Sequence, residues 1–300
     1  MSCYSCLSLL NAWGLQQLNK LSMLGTKPRR VNCENKVMNK QKSVESQSVK
    51  IESVTGNEIQ HYQRLLLNDE KNSQLLHELA MAYMKTGDLE QAKRYLLRSI
   101  DCASDDAVVY KDLGLCFLAD DQAEEAIKYF DQAINIDSQC SLAFQHKAEA
   151  LTRTKRYAEA LESLEAAIQL EPDNKDLDIG KGHLLLKLDR FKEAIAVFKQ
   201  ALDLDPESLS LQHNLAMALL GEKRYDEALE TLARSIKQQA NADSFWIQGR
   251  VYLENADPEK ALTAFNKSML LNPSHPFLFV DKANCHLSLK QYDLAYESIQ

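Results

Sequence analysis

Seven histidines, seven cysteines and 43 aspartates and glutamates are the residues of this chain that could hold a metal, pass electrons or move a proton. Cys3 and Cys6 form a C-x-x-C, a spacing used in redox and zinc sites, but at the extreme terminus and without a strand–helix–strand setting. The odd cysteine count fits no disulfide framework and points to reduced thiols in an intracellular protein. Cys102, Cys116 and Cys285 are expected as small buried hydrophobes, and Cys140 as a surface thiol. His183 and His213 could form a metal pair only if successive helices bring them together. The competing assignment is ordinary polar lining of a groove. His286 is expected to be half-buried packing. No glycine-rich phosphate loop, H-E-x-x-H or G-x-S-x-G occurs. No catalytic residue, metal or cofactor is therefore assigned, and the expectation is a protein that is not an enzyme.

The acidic and basic residues are distributed unevenly over the 300 positions. Residues 1–50 carry eight Lys/Arg against two Asp/Glu, and the remainder carries 27 against 41. An acidic body repels phosphate backbones, which argues against nucleic-acid binding. No apolar run approaches the length of a membrane-spanning helix. Nine glycines and six prolines are too few for a turn-rich sandwich or for low-complexity disorder over most of the length. Residues 1–33 hold four basic residues and no acid, with Leu7, Leu10, Trp13, Leu18, Leu21 and Leu24 at helical spacing. They read either as a flexible leader or as an organelle-targeting or membrane-surface helix. Residues 32–57 read as a linker, giving a disordered basic leader over 1–56. Cytoplasmic residence is the default expectation.

The elements that would position these side chains emerge from an internal period. Ala92, Ala126, Ala160, Ala194, Ala228, Ala261 and Ala295 are separated by five intervals of 34 and one of 33. Four residues after each of the first six comes Leu96, Phe130, Leu164, Phe198, Leu232 or Phe265; three further on comes Ser or Ala. Twelve residues before each alanine stands Ala80, Gly114, Ala148, Gly182, Ala216, Gly249 or Ala283. Small residues let two helix backbones approach, and the large residue fills the hole between them. Apolar residues recur at three and four, so each period holds two amphipathic helices. Breaks fall at Thr86-Gly87-Asp88 and Asp120-Asp121 within periods, and at Pro172, Pro206 and Pro273 between them.

This pattern resembles the tetratricopeptide repeat family, whose signature is W-x2-L-G-x2-Y, A-x3-F and P at a 34-residue period. The resemblance implies an all-α, right-handed α-solenoid of about seven helix-turn-helix repeats. They are placed at 73–106, 107–140, 141–174, 175–208, 209–241, 242–275 and, in part, 276–300. A capping helix at 57–72, built on Ile59, Tyr62, Leu65 and Leu66, precedes them. Asp178 and Gln212 stand where other repeats carry Leu or an aromatic residue, so the first helices of repeats four and five are expected to pack less tightly. Gln300 falls within the second helix of the seventh repeat, so the expectation is further chain or self-association through an uncapped end.

The family lines its concave face with the first helices, which implies a groove for a protein or peptide. Carried over by position, its lining comprises Met81, Met84, Lys85, Lys111, Leu115 and Leu118, then Gln145, Glu149, Arg153, His183, Leu186 and Lys187, then His213, Met217, Trp246, Arg250 and Asn284. Met84, Leu118, Leu186, Leu220, Leu253 and Leu287 repeat one position as an apolar row. It reads either as a track for an extended segment or as packing against the neighbouring helix. Trp246 is the candidate aromatic anchor, against a reading as partly covered packing. The family's two-carboxylate clamp is absent, because its positions hold Lys111, Leu115, His146, Asp176 and Gly180. The asparagine ladder of the sugar-transferase subtype is reduced to Asn214. The expected function is an interaction scaffold for assembly or chaperone-like work, with a neutral or basic partner. The alternative is the recognition arm of a longer enzyme, such as a transferase, whose catalytic part lies beyond residue 300.

Overall fold

The computed structural model describes residues 56–275 and 277–298. Residues 1–55 of the leader, with Cys3, Cys6 and the Leu7–Leu24 periodicity, lie outside the described residues, and residue 56 opens the first helix. Among the described residues every regular element is a helix. The described residues form two compact units, divided between Gln122 and Ala123.

The first unit contains α1 (56–66), α2 (Ser73–Thr86), α3 (Leu89–Cys102) and α4 (Ala107–Ala119). The second begins with α5 (Ala123–Ile136), α6 (Ser141–Arg153), α7 (Tyr157–Leu170), α8 (Lys175–Lys187), α9 (Phe191–Leu204) and α10 (Leu209–Gly221). It continues through α11 (Tyr225–Gln238), α12 (Ala242–Glu254), α13 (Pro258–Leu271), α14 (Leu278–Ser288) and α15 (Tyr292–Glu297). This is the helix-turn-helix repetition that the 34-residue period predicts.

Helix starts follow local chemistry. The side chains of Asn72, Asp88, Asp106, Asn241 and Asp257 accept hydrogen bonds from the amides of Leu75, Gln91, Val108, Ser244 and Lys260. Each such cap contributes about 1 kcal/mol. Three second helices start instead on arginine. Arg156, Arg190 and Arg224 fork onto Glu159, Glu193 and Glu227 one turn in, at 2.5–2.7 Å.

The turn inside each repeat is backbone-determined. Gly87, Asp121, Lys155, Asp189, Lys223, Ala256 and Lys290 all have positive φ and share the period of the alanines. Six of these seven are not glycine, although the left-handed conformation costs an L-residue about 1–2 kcal/mol. The turn therefore recurs without a residue signature that the sequence could reveal.

Packing follows the small–large alternation. A Cβ placed on Gly182 would lie 2.6 Å from Phe198, and one on Gly249 would lie 2.5 Å from Phe265. Both rings are fully buried. In the first unit Leu66, Leu76 and Leu79 form a core joined by Ile59, Tyr62 and Tyr83. That core seats α1 against α2. Two of the small residues also bond: Ser99 donates to the Ser73 carbonyl and Ser268 to the Ala242 carbonyl, each at 2.8 Å.

Some details match expectation and others depart from it. Cys116 and Cys285 are buried, and burial pushes both thiols up to about 12. Cys102, by contrast, is exposed. It is the last residue of α3, and of its counterparts at other second-helix ends Ile136, Leu204 and Leu271 are exposed and Leu170 is half-buried, so the slot lies at the margin of the core. Helix α1 ends at residue 66, and 67–72 form a turn region. Gln212 is buried on α10; its Nε2 donates to the Pro206 carbonyl at 2.9 Å, while its Oε1 has no partner. One buried acceptor is thus left unsatisfied there, a local cost of about 1–3 kcal/mol. The connection before α14, from Asn272 to Phe277, equals the one between α1 and α2 in length and exceeds the other connections between repeats, with Phe277 itself at φ 68.

Candidate functional site

On an α-helix, residues at positions five, nine and twelve share one face because they are spaced by four and three. In the second unit this face of the first helices presents Gln145 and Glu149 on α6, His183 and Leu186 on α8, His213 and Met217 on α10, and Trp246 and Arg250 on α12. All eight are half-buried. Asn284 of α14 and Arg153 of α6 are exposed. In the first unit Met81, Met84, Lys111 and Leu115 are half-buried and Lys85 is exposed.

Many of the polar members already bond within the protein. His77 of α2 meets Asp112 of α4 at 2.7 Å, and Lys111 donates to the other oxygen of that carboxylate at 2.5 Å. Burial pushes the Asp112 carboxyl up, but the bonds from His77 and Lys111 outweigh it and hold it below the ordinary value. Lys85 pairs with Glu58 of α1 at 3.2 Å. Burial likewise pushes Glu149 up, and His146 and Arg153 reverse the effect; Arg153 donates to Glu149 at 2.8 Å. Gln145 donates to the Ser141 hydroxyl at 3.0 Å.

The two candidate histidines have different partners. Asn214 Nδ2 lies 3.2 Å from His183 Nε2. Burial, assisted by Lys187, depresses His183 to about 4, so its imidazole is neutral and accepts that bond. His213 Nε2 lies 2.7 Å from the Ser244 hydroxyl, which in turn lies 2.8 Å from Ser235. Burial lowers His213 too. Among the described residues no group of three or more His, Cys, Asp or Glu is arranged to hold a metal ion.

Trp246 is the centre of a cluster that joins α12, α14 and the loop between α13 and α14. Its indole Nε1 donates to Asp281 of α14 at 2.7 Å. Its ring centroid lies 4.9 Å from that of His275, whose Nε2 meets Asp243 at 3.1 Å. The Arg250 guanidinium lies over the indole, 5.3 Å from its centroid. The ring also packs on the core of Ala261, Phe265, Leu278 and Cys285. Burial raises the Asp281 carboxyl, with the Trp246 bond and nearby Arg250 opposing it incompletely. Trp246 thus both joins α12 to α14 and supports the face it was expected to display.

The apolar row does not form one open track. Leu118 and Leu220 are 3% and 7% exposed and act as packing residues. Met84, Leu186 and Leu253 are half-buried, and Leu287 is 51% exposed. Sequence reading missed the bonds between successive first helices, such as His77–Asp112 and Trp246–Asp281. Their common separation of 35 residues, close to one period, was the available signal.

Family models described as tetratricopeptide repeat match residues 72–139, 151–197, 185–246 and 242–275. Comparison with curated proteins finds no match. Among solved structures, the chain is similar to YrrB, described as a TPR protein with an unusual peptide-binding site. Identity is 26%, with 62% of this chain and 97% of that chain covered and a TM-score of 0.52. It is also similar in fold to the C-terminal part of a TPR repeat-containing protein from Cytophaga hutchinsonii, at 14% identity over 77% of this chain and 98% of that one, with a TM-score of 0.62. PilW, a type IV pilus biogenesis factor, shares 20% identity over 64% and 90% of the two chains, with a TM-score of 0.54. No helix of the described residues is long and apolar enough to cross a membrane.

Proposed function

The chain belongs to the tetratricopeptide repeat family, and from that premise we propose that it is an interaction scaffold whose second unit holds an extended peptide segment of a partner. The observation that carries this reading is the shared face of α6, α8, α10 and α12. It repeats at a fixed interval and mixes apolar contact from Leu186 and Met217 with polar and aromatic groups at Glu149, Trp246 and Arg250. A face set on packed helices is ordered before the ligand arrives, which lowers the entropic cost of association. Methionine adds a contact that adapts to varied side chains. YrrB, the 26%-identical relative in structure, is described by its peptide-binding site, in keeping with this reading. Beyond residue 50, acidic residues outnumber basic ones by 41 to 27, so the surrounding field favours a partner that is neutral or basic overall.

Met217 is the residue with which to test it, because it is half-buried on the face and bears no hydrogen-bonding duty. Peptides selected from a displayed random library on the full chain should lose about 2 kcal/mol of affinity on Met217→Asp, with the helical circular dichroism unchanged. Selected peptides that bind the variant equally well would place their site elsewhere.

A further inference from the structure

Six arginines fall within residues 123–298, and five of them pair with a glutamate: Arg153 with Glu149, Arg156 with Glu159, Arg190 with Glu193, Arg224 with Glu227 and Arg234 with Glu230. Arg250 differs. Among the described residues it has no carboxylate at ion-pair distance, although Glu254 stands one turn further along α12. Asp281 is near enough to feel its charge but is bonded to the Trp246 indole instead. Asp243, two turns earlier on α12, is engaged by His275. The guanidinium is left half-buried over the face of Trp246. That contact favours the cation while leaving its donors available.

We propose that Arg250 is the anchor for one side-chain carboxylate, an Asp or Glu within the bound segment, flanked on both sides by apolar residues. This deepens the scaffold reading and rests on it. A planar guanidinium held by an aromatic face matches a carboxylate through two parallel hydrogen bonds. The flanking preference follows from the neighbours: Met217 lies on α10 to one side, and on α14 to the other Val280 and Leu287, 52% and 51% exposed, stand about one turn before and after Asn284, the exposed residue that holds the repeat position of Arg250. Apolar surface on both sides of the arginine lets the segment run past it, so the carboxylate belongs to a side chain rather than to a chain end. A single acid of this kind is compatible with a partner that is otherwise neutral or basic.

The test selects random dodecapeptides, displayed with their C-termini fused and therefore blocked, on the full chain. Selected peptides should be enriched in an Asp or Glu between apolar residues. Replacing that Glu by Gln in a synthetic copy should weaken binding about tenfold to the wild type and leave binding to Arg250→Gln unchanged. Arg250→Lys, which keeps the charge and loses the fork, should fall between them and serves if Arg250→Gln does not fold. Selected peptides that lack an acid, or whose Gln version loses as much affinity for Arg250→Gln as for the wild type, overturn the proposal. If those peptides still lose binding on Met217→Asp, the scaffold reading stands without it. Synthetic dodecapeptides without an internal acid that bind the wild type but not Arg250→Gln, and only when their C-terminus is left free rather than amidated, overturn the side-chain assignment, and enrichment of no peptide at all sinks both readings.

Discussion

Two junctions in this protein use the same register with opposite electrostatics. At one, His77 on α2 reaches Asp112 on α4; at the other, Trp246 on α12 reaches Asp281 on α14. Both pairs span 35 residues, and the two aspartates occupy the same position of their repeats. Asp112 is 3% exposed yet held in its charged form, because Lys111 and His77 supply positive or donor groups to both oxygens. Asp281 has one indole donor, and its burial wins over the Arg250 charge. Burying a carboxylate is thus tolerated in two ways: by saturating it with partners, or by letting its proton affinity rise. The first closes the face to newcomers, because Lys111 is consumed. The second leaves a cation beside it with no acid of its own.

The largest expected effect lies at the saturated junction. Asp112→Ala strands the Lys111 ammonium and the His77 ring together, and should lower unfolding stability by about 3 kcal/mol in a denaturant titration. A loss no greater than that of an ordinary surface substitution would mean that the carboxylate is not satisfied as described. Next in size is Trp246→Phe, which keeps an aromatic ring but removes the donor to Asp281; it should cost about 1–2 kcal/mol. Combining it with Asp281→Asn should recover part of that loss, since the neutral amide tolerates burial better. Full additivity of the two substitutions would contradict the coupling.

Acid should move the two junctions in opposite directions. The carboxyl of Asp112 is depressed in the folded protein, so its contribution is present above the unfolded value and is lost as pH falls through the lower folded one. Asp281 is raised, so its contribution is present below the unfolded value and is lost as pH rises through the folded one. Protection factors for amide exchange, compared between neutral and acidic solution, should therefore fall in α4 and hold or rise in α14. A fall of equal size in both helices would remove the distinction.

The fold was legible because the alanine period forces paired helices, and the Gly249–Phe265 and Gly182–Phe198 contacts realise the small–large alternation directly. The turns were less legible. Only Gly87 advertises a left-handed residue, while Lys155, Lys223 and Ala256 adopt that conformation under the constraint of the helices on either side. The face was legible by position but not by availability. Leu118 and Leu287 hold the same place in the repeat, yet one is buried and the other open, because coverage depends on the surroundings of each repeat rather than on the period itself. The pairing of Trp246 with Asp281, and of His183 with Asn214, links neighbouring repeats, so a reading made one repeat at a time leaves it out.

Cys116 and Cys285 sit in the same slot of their repeats, one in each compact unit, and burial keeps both thiols protonated and shielded. A thiol of that kind meets a soluble alkylating reagent only during the moments when its helix pair swings apart. The molecule therefore contains two native stopwatches: the relative speed at which a maleimide captures each sulfur would report, without any added label, which half of the chain breathes more often.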